Sequence, residues 1–156
     1  LRIYDESEEN QAMPIIDFSF PSGSLNEAQQ DELARELSDS LKKCAHAIDN
    51  PRADAINWLY LHEHPADRVY VAGEVKAKPH YRIEVMIMEG MMTQEIKEQI
   101  AEDMTLKVLK AEASGFNPMN ASRVWVIFHD IPDGNWASGG RLYGLQDLMK
   151  YIEGRK

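Results

Sequence analysis

The chain predicts an α/β fold: tandem β-α-β repeats forming a four-stranded sheet with two helices on one face, followed by a C-terminal helix. Three observations carry this. Ile16, Phe18 and Phe20 alternate with Ile15, Asp17 and Ser19, the period of a half-buried strand. Leu33, Leu37, Leu41, Cys44 and Ile48 then recur at helical spacing through residues 25–48. Finally, the chain repeats itself at a constant offset of 67 with no gap, so that Ile16, Phe18 and Phe20 meet Ile83, Val85 and Ile87. At the same offset Leu33, Leu37 and Leu41 meet Ile100, Met104 and Val108, and Trp58, Leu61 and His62 meet Trp125, Phe128 and His129. An ungapped register of this length marks two copies of one supersecondary unit.

In order along the chain, Pro14 opens the first strand, a place where a missing N–H costs no ladder bond. Pro21-Ser22-Gly23-Ser24 makes a turn, and Ser24 to Glu27 has the form of a capping box. Asn50-Pro51 ends the first helix. A second strand is expected near 55–62, then a short hairpin from Arg68 to Val71 closed by Gly73. The repeats span 14–74 and 81–141, and each crossover through a helix makes its two long strands parallel. Leu145, Leu148, Met149 and Ile152 form one stripe of a helix near 142–153, which has no counterpart in the first repeat. The sheet face away from the helices would carry Trp58, Tyr60, Met86, Met88, Trp125 and Ile127. An apolar face of that size predicts association of copies around a closed axis.

Composition narrows the function. With 156 residues, 44% hydrophobic, the chain reads as one domain (13–156) preceded by a flexible acidic extension or tag at 1–12. Residues 1–12 are acidic where a signal peptide needs a basic region, and no apolar run reaches membrane-span length. A net charge of −9 argues against nucleic acid or an anionic membrane as partner. It leaves room for an anionic small molecule, which needs only a local positive group. Cys44 is the single cysteine, so a reducing cytoplasmic setting is expected, and its place among leucines reads as packing. The histidines are not at metal-ligand spacing, and no metal is expected. His62/Glu63 and His129/Asp130 read as strand-end solvent contacts, and Arg82 as the ion-pair partner of Glu84 or another acid, ahead of a role in reaching a substrate carboxylate.

Two segments, Trp58 to Glu74 and Arg123-Val-Trp-Val-Ile-Phe-His-Asp-Ile-Pro132, join the Met13-Pro14 start and the tandem repeat to make a recognisable pattern over residues 13 to about 153. It resembles the tautomerase superfamily. Within it the pattern resembles the cis-3-chloroacrylic acid dehalogenase group, with similarity to 4-oxalocrotonate tautomerase and macrophage migration inhibitory factor. The resemblance implies a homotrimer of fused units, no cofactor, and an amino-terminal proline in a pocket between subunits. That proline is a base in keto–enol tautomerases and an acid in dehalogenases and hydratases. Here it would be Pro14 after removal of Met13. An α-amine starts near pKa ~7.7–8, and burial lowers it toward the match with neutral pH that base catalysis favours.

The family's other functional positions depart from its pattern. The histidine of the dehalogenase first helix falls at Leu41, its two carboxylate-holding arginines at Met88 and Met91, and its tyrosine and glutamate at Ile127 and Ser138. The second-strand arginine of single-unit tautomerases falls at Trp58 and Trp125, and the lysine of the inhibitory-factor pocket at Ala45. The reading is therefore a Pro14-dependent tautomerase acting on a small 2-oxo acid or aromatic enol, with Met88, Met91, Trp125 and Ile127 shaping an apolar pocket. Its alternative is a non-catalytic protein of the same fold, and a dehalogenase-like lyase ranks behind both. If the peptide bond before Pro14 persists, the nitrogen is an ordinary amide and Pro14 is simply the residue that starts a strand.

Overall fold

A computed structural model describes residues 14–44 and 47–154; the acidic stretch 1–12, Met13 and Ala45 lie outside them, as does the side chain of Cys44. The first strand, β1 (Ile15–Pro21), lies second in a four-stranded sheet of order β2-β1-β3-β4, with β2 at Trp58–His64, β3 at Tyr81–Met88 and β4 at Val124–Ile131. β1 runs parallel to β2 and β3 parallel to β4, as the crossovers require. The repeats join antiparallel through β1 and β3. In that ladder Asp17 lies opposite Glu84, its own counterpart at the offset of 67. A pseudo-twofold axis therefore passes between these two carboxylates, and it places Pro14 and Tyr81 at opposite ends of the sheet.

Helices α1 (Glu27–Cys44) and α3 (Gln94–Ala111) match at the same offset from first residue to last. Leu33, Leu37 and Leu41 of α1 and Ile100, Met104 and Val108 of α3 are fully buried against Ile16, Phe18 and Phe20 of β1 and Ile83, Val85 and Ile87 of β3. Burying each such side chain contributes about 1.5–3 kcal/mol. Phe18 stacks between Phe20 and Tyr81, with ring centroids 5.4 and 6.0 Å away.

Helix starts differ from expectation in an instructive way. The capping residue of α1 is Asn26, not Ser24: Asn26 accepts from Gln29 N while the Gln29 side chain accepts from Asn26 N. The Ser24 hydroxyl instead donates to Pro21 O and tightens the turn. Thr93, the counterpart of Asn26, caps α3 through Ile96 N. Asn50-Pro51 does not end the first helix, which stops at Cys44 and leaves Ile48 exposed outside it; it starts another. Asn50 accepts from Arg52 N and Ala53 N to cap α2 (Pro51–Ile56), and Asn117 caps its counterpart α4 (Pro118–Ala121). Proline at the first helical position has no N–H to waste there. The α2 helix displaces the start of β2 from the expected residue 55 to Trp58.

After β2, Ala66–Arg68 forms a single 3-10 turn and Val71 bridges Glu74. Ser138 pairs with Arg141 at the same offset, within the hairpin β5 (Trp136–Ser138) and β6 (Arg141–Tyr143). The C-terminal helix α5 is Leu145–Glu153, shorter than 142–153 because β6 takes its first residues. Leu145 packs against Gly90, while the carbonyls of Tyr151 and Ile152 accept from Arg52 and Asn50. α5 thus bridges from the turn after β3 to α2, and Leu148 and Ile152 join the core. Gly154 ends the helix at φ +71°, with Arg52 Nη1 2.9 Å from where a Cβ would stand, so glycine serves both conformation and space. No described helix is long and apolar enough to cross a membrane.

Candidate functional site

Two ends of the sheet carry the residues of interest. Pro14 is buried and enters β1 one residue before Ile15, which pairs with Met86 near the end of β3. Met88 and Met91 lie at this same end, but both are buried members of the hydrophobic core. Within one chain they are packing residues beneath Pro14's end of the sheet rather than an open wall. Met88 departs from the exposed apolar face expected of it.

Trp125 and Ile127 lie elsewhere. Trp125 is in register with Arg82, itself opposite Ser19, and Ile127 is in register with Glu84, opposite Asp17. Ser19 is five positions along β1 from Pro14, roughly 16 Å at strand rise. The structure therefore separates Trp125 from the Pro14 of its own chain. Trp125 is 67% exposed and Trp58 55% exposed, and Tyr60 is exposed beside them, so the face away from the helices presents large aromatic rings, as expected.

Its centre is charged. His62 Nε2 lies 2.5 Å from Asp17 Oδ1, and His129 Nε2 lies 3.2 Å from Glu84 Oε1. These are equivalent pairs in the two repeats. They correct the reading of both histidines as strand-end solvent contacts. Two carboxylates directly opposite in a ladder repel, and an imidazole hydrogen bond to each offsets that cost. Arg82 Nε sits 3.5 Å from Glu84, as anticipated from their spacing.

At the Tyr81 end, a cavity of about 580 Å³ opens between β1, β3, β4 and the loop after β2. Its lining includes Arg68, Arg82, Arg123, His64 and His80, with Tyr70 and Trp125, and no aspartate or glutamate. Arg123 is committed: both its Nη atoms bond the Glu112 carboxylate at 2.8 and 2.7 Å, and Nη1 also donates to Pro79 O. The Glu112 hydrogen bonds hold its pKa above the ordinary guanidinium value, against the opposing effect of burial. Burial pushes the Tyr81 phenol up to about 12, with Ser24 opposing. Sequence reasoning missed this cavity because its cations are spread from residue 64 to 123.

No family model matches the sequence, and no curated protein matches it. Solved structures do match. A fused 4-OT in a symmetric trimer (Q0) is 22% identical with a TM-score of 0.65, covering 82% of this chain and 94% of that one. N1, a member of the cis-3-chloroacrylic acid dehalogenase family, is 19% identical with a TM-score of 0.67 over 90% of this chain and 99% of its own. Pt0534, inactivated by 2-oxo-3-pentynoate, is 20% identical with a TM-score of 0.67 over 86% of this chain and 98% of its own. The protein is a fused pair of β-α-β units. Its fold is that of the tautomerase superfamily.

Proposed function

We propose that the protein is a cofactor-independent keto–enol tautomerase in which Pro14, freed by loss of Met13, is the general base. The substrate class is a small 2-oxo acid or aromatic enol. The observation that supports this most directly is the placement of Pro14: buried, and at the start of an inner strand. A secondary amine there is held by the sheet and shielded from water, which favours its neutral, basic form. The trimeric fold neighbour and the exposed face bearing Trp58 and Trp125 support a homotrimer. In it Trp125 and Ile127 would reach the Pro14 end of a neighbouring copy, with Met88 and Met91 backing the pocket.

Ketonisation of phenylenolpyruvate tests the reading, in protein whose first residue is Pro14. Blocking the nitrogen by retaining Met13, or substituting Pro14→Ala, should lower kcat/KM by about 10²-fold or more. Rates equal to those of the free-proline protein would overturn it. A second reading, a non-catalytic protein that keeps the fold, is favoured by Met88 and Met91 standing buried where the resembled dehalogenases place arginines. The absence of any turnover above buffer would establish that reading instead.

A further inference from the structure

The cavity beside Tyr81 is not an inheritance of the repeat. Each of its cations has an uncharged counterpart at the offset of 67: Arg68 matches Asn135, Arg82 matches Ile15, and Arg123 matches Ile56. His64 matches Ile131, and His80 matches Met13. The two ends of the sheet share a backbone plan and have opposite chemistry. In a chain with 26 acidic residues against 17 lysines and arginines, a lining with three arginines and no acid is a local reversal of sign.

The charges are also available in differing degree. Arg123 is neutralised by Glu112 and forms part of the cavity's frame. Arg82 is held only loosely by Glu84, which it shares with His129. Arg68 has no ion-pair partner among the described residues; its Nη1 donates to the Tyr70 hydroxyl at 3.3 Å. His80 Nδ1 donates to the backbone carbonyl of Lys78 at 3.1 Å, which holds the ring at the cavity's edge. Glu74, across the bridge from Val71, pairs with Lys76. Val69, Val71, Tyr70 and Trp125 supply apolar wall.

We propose that this cavity is a binding site for a small carboxylate carrying an apolar or aromatic body, held by Arg68 and Arg82. Guanidinium groups pair with carboxylates in a planar, two-bond geometry. The volume lies within the ~300–1,000 Å³ typical of small-molecule sites, where an apolar wall carries the ligand's body and a few polar groups orient it. Within one chain the site stands at the other end of the sheet from Pro14; Trp125, which lines it, is also the residue that the proposed trimer would carry to a neighbouring copy's Pro14.

Calorimetric titration with 3-phenylpropionate tests this, with 3-phenylpropanamide as the neutral isostere and phenyl phosphate as the alternative anion. The carboxylate should bind wild type and Pro14→Ala with the same Kd, whether or not Pro14 is catalytic. Arg68→Ala and Arg82→Ala should each weaken it about tenfold, the worth of one charge-assisted hydrogen bond. Both side chains are exposed, so the fold should survive, and near-ultraviolet circular dichroism checks that it does. Arg141→Ala, an exposed arginine outside the cavity, should leave Kd unchanged. An unchanged Kd in both cavity variants, an equal loss in Arg141→Ala, or loss of binding in Pro14→Ala would overturn the site. Tighter binding of the amide or of phenyl phosphate would overturn the carboxylate assignment.

Discussion

Removing Glu112 should expose how much of the fold rests on one buried ion pair. The Arg123 side chain is 6% exposed and that of Glu112 is 11% exposed. The pair ties the residue that ends α3 to the strand start where Tyr81 N bonds Arg123 O at 2.8 Å. Glu112→Ala leaves a largely buried guanidinium without its carboxylate, a change that typically costs ~3–5 kcal/mol. Pro79 O and Asn120 Oδ1 still accept from Arg123, so the low end, about 3 kcal/mol, is expected. For a chain of this length that is a fall in Tm of roughly 6–12 °C. Glu112→Leu combined with Arg123→Met removes both charges and should recover most of the loss, because desolvation offsets much of what the pair gains. Thermal unfolding at one fixed protein concentration measures all of these, since assembly makes Tm concentration-dependent. A single-variant loss below about 1 kcal/mol, in the range of exposed pairs, or a double variant worse than the single, would refute the reasoning.

Two further outcomes concern the same region and the open face. The Tyr81 phenol, at about 12 in the fold against ~10 unfolded, contributes stability that is complete below pH ~10 and lost as pH rises through ~12. Over that window the unfolded state gives up its proton first. Its worth is about 3 kcal/mol across two pH units, so Tyr81→Phe should flatten the alkaline limb of a denaturant-midpoint profile. At pH 7 the substitution should cost little, because the buried hydroxyl makes no well-formed hydrogen bond, only an approach to Ser24; an unchanged alkaline limb would contradict the burial argument. Trp125→Asp places a charge on the exposed aromatic face and should shift the proposed trimer to monomer in sedimentation velocity while leaving the far-ultraviolet spectrum intact, and a variant whose assembly is the same as that of the wild type would show that this face does not mediate it.

Most of the fold was legible because its strongest signals are periodic. The alternation in β1, the leucine stripe of α1 and the unbroken offset of 67 are all one-dimensional statements about burial, and the core follows them residue by residue. The features that were not legible depend on contacts between distant residues or on elements too short to have a period. Four-residue α4 and six-residue α2 show no stripe, although the Asn-Pro dipeptide at each start, repeated at the same offset, was a usable signal. The His62–Asp17 and His129–Glu84 pairs cross the parallel β1–β2 and β3–β4 ladders, whose exact register repeat detection alone does not supply. Met88 alternates onto the outward side of β3 as its parity demands, yet it is buried; parity names a face and not what covers it. The cationic cavity could have been suspected by asking which charged positions break the repeat.

That question also gives the physical sense of the duplication. An antiparallel join of two equal units makes the two sheet ends equivalent in backbone, so any difference between them must come from side chains and from the segment C-terminal to the second repeat. Both differences are present. Pro14 enters β1 as an imino acid whose nitrogen carries no proton in an amide and becomes basic only as a chain terminus. Tyr81, at the matching position, donates its N–H to Arg123 O and is bound into the ladder. The free amine proposed for Pro14 therefore has no counterpart at Tyr81. The Tyr81 end carries Arg68, Arg82 and Arg123; beside a free amine such positive charge would favour the neutral form and depress the pKa further. At the Pro14 end the equivalents are Asn135, Ile15 and Ile56, and α5 adds Leu148 and Ile152 to the core. Charge on one side and apolar packing on the other is the division expected if one end holds a base and the other holds an anion.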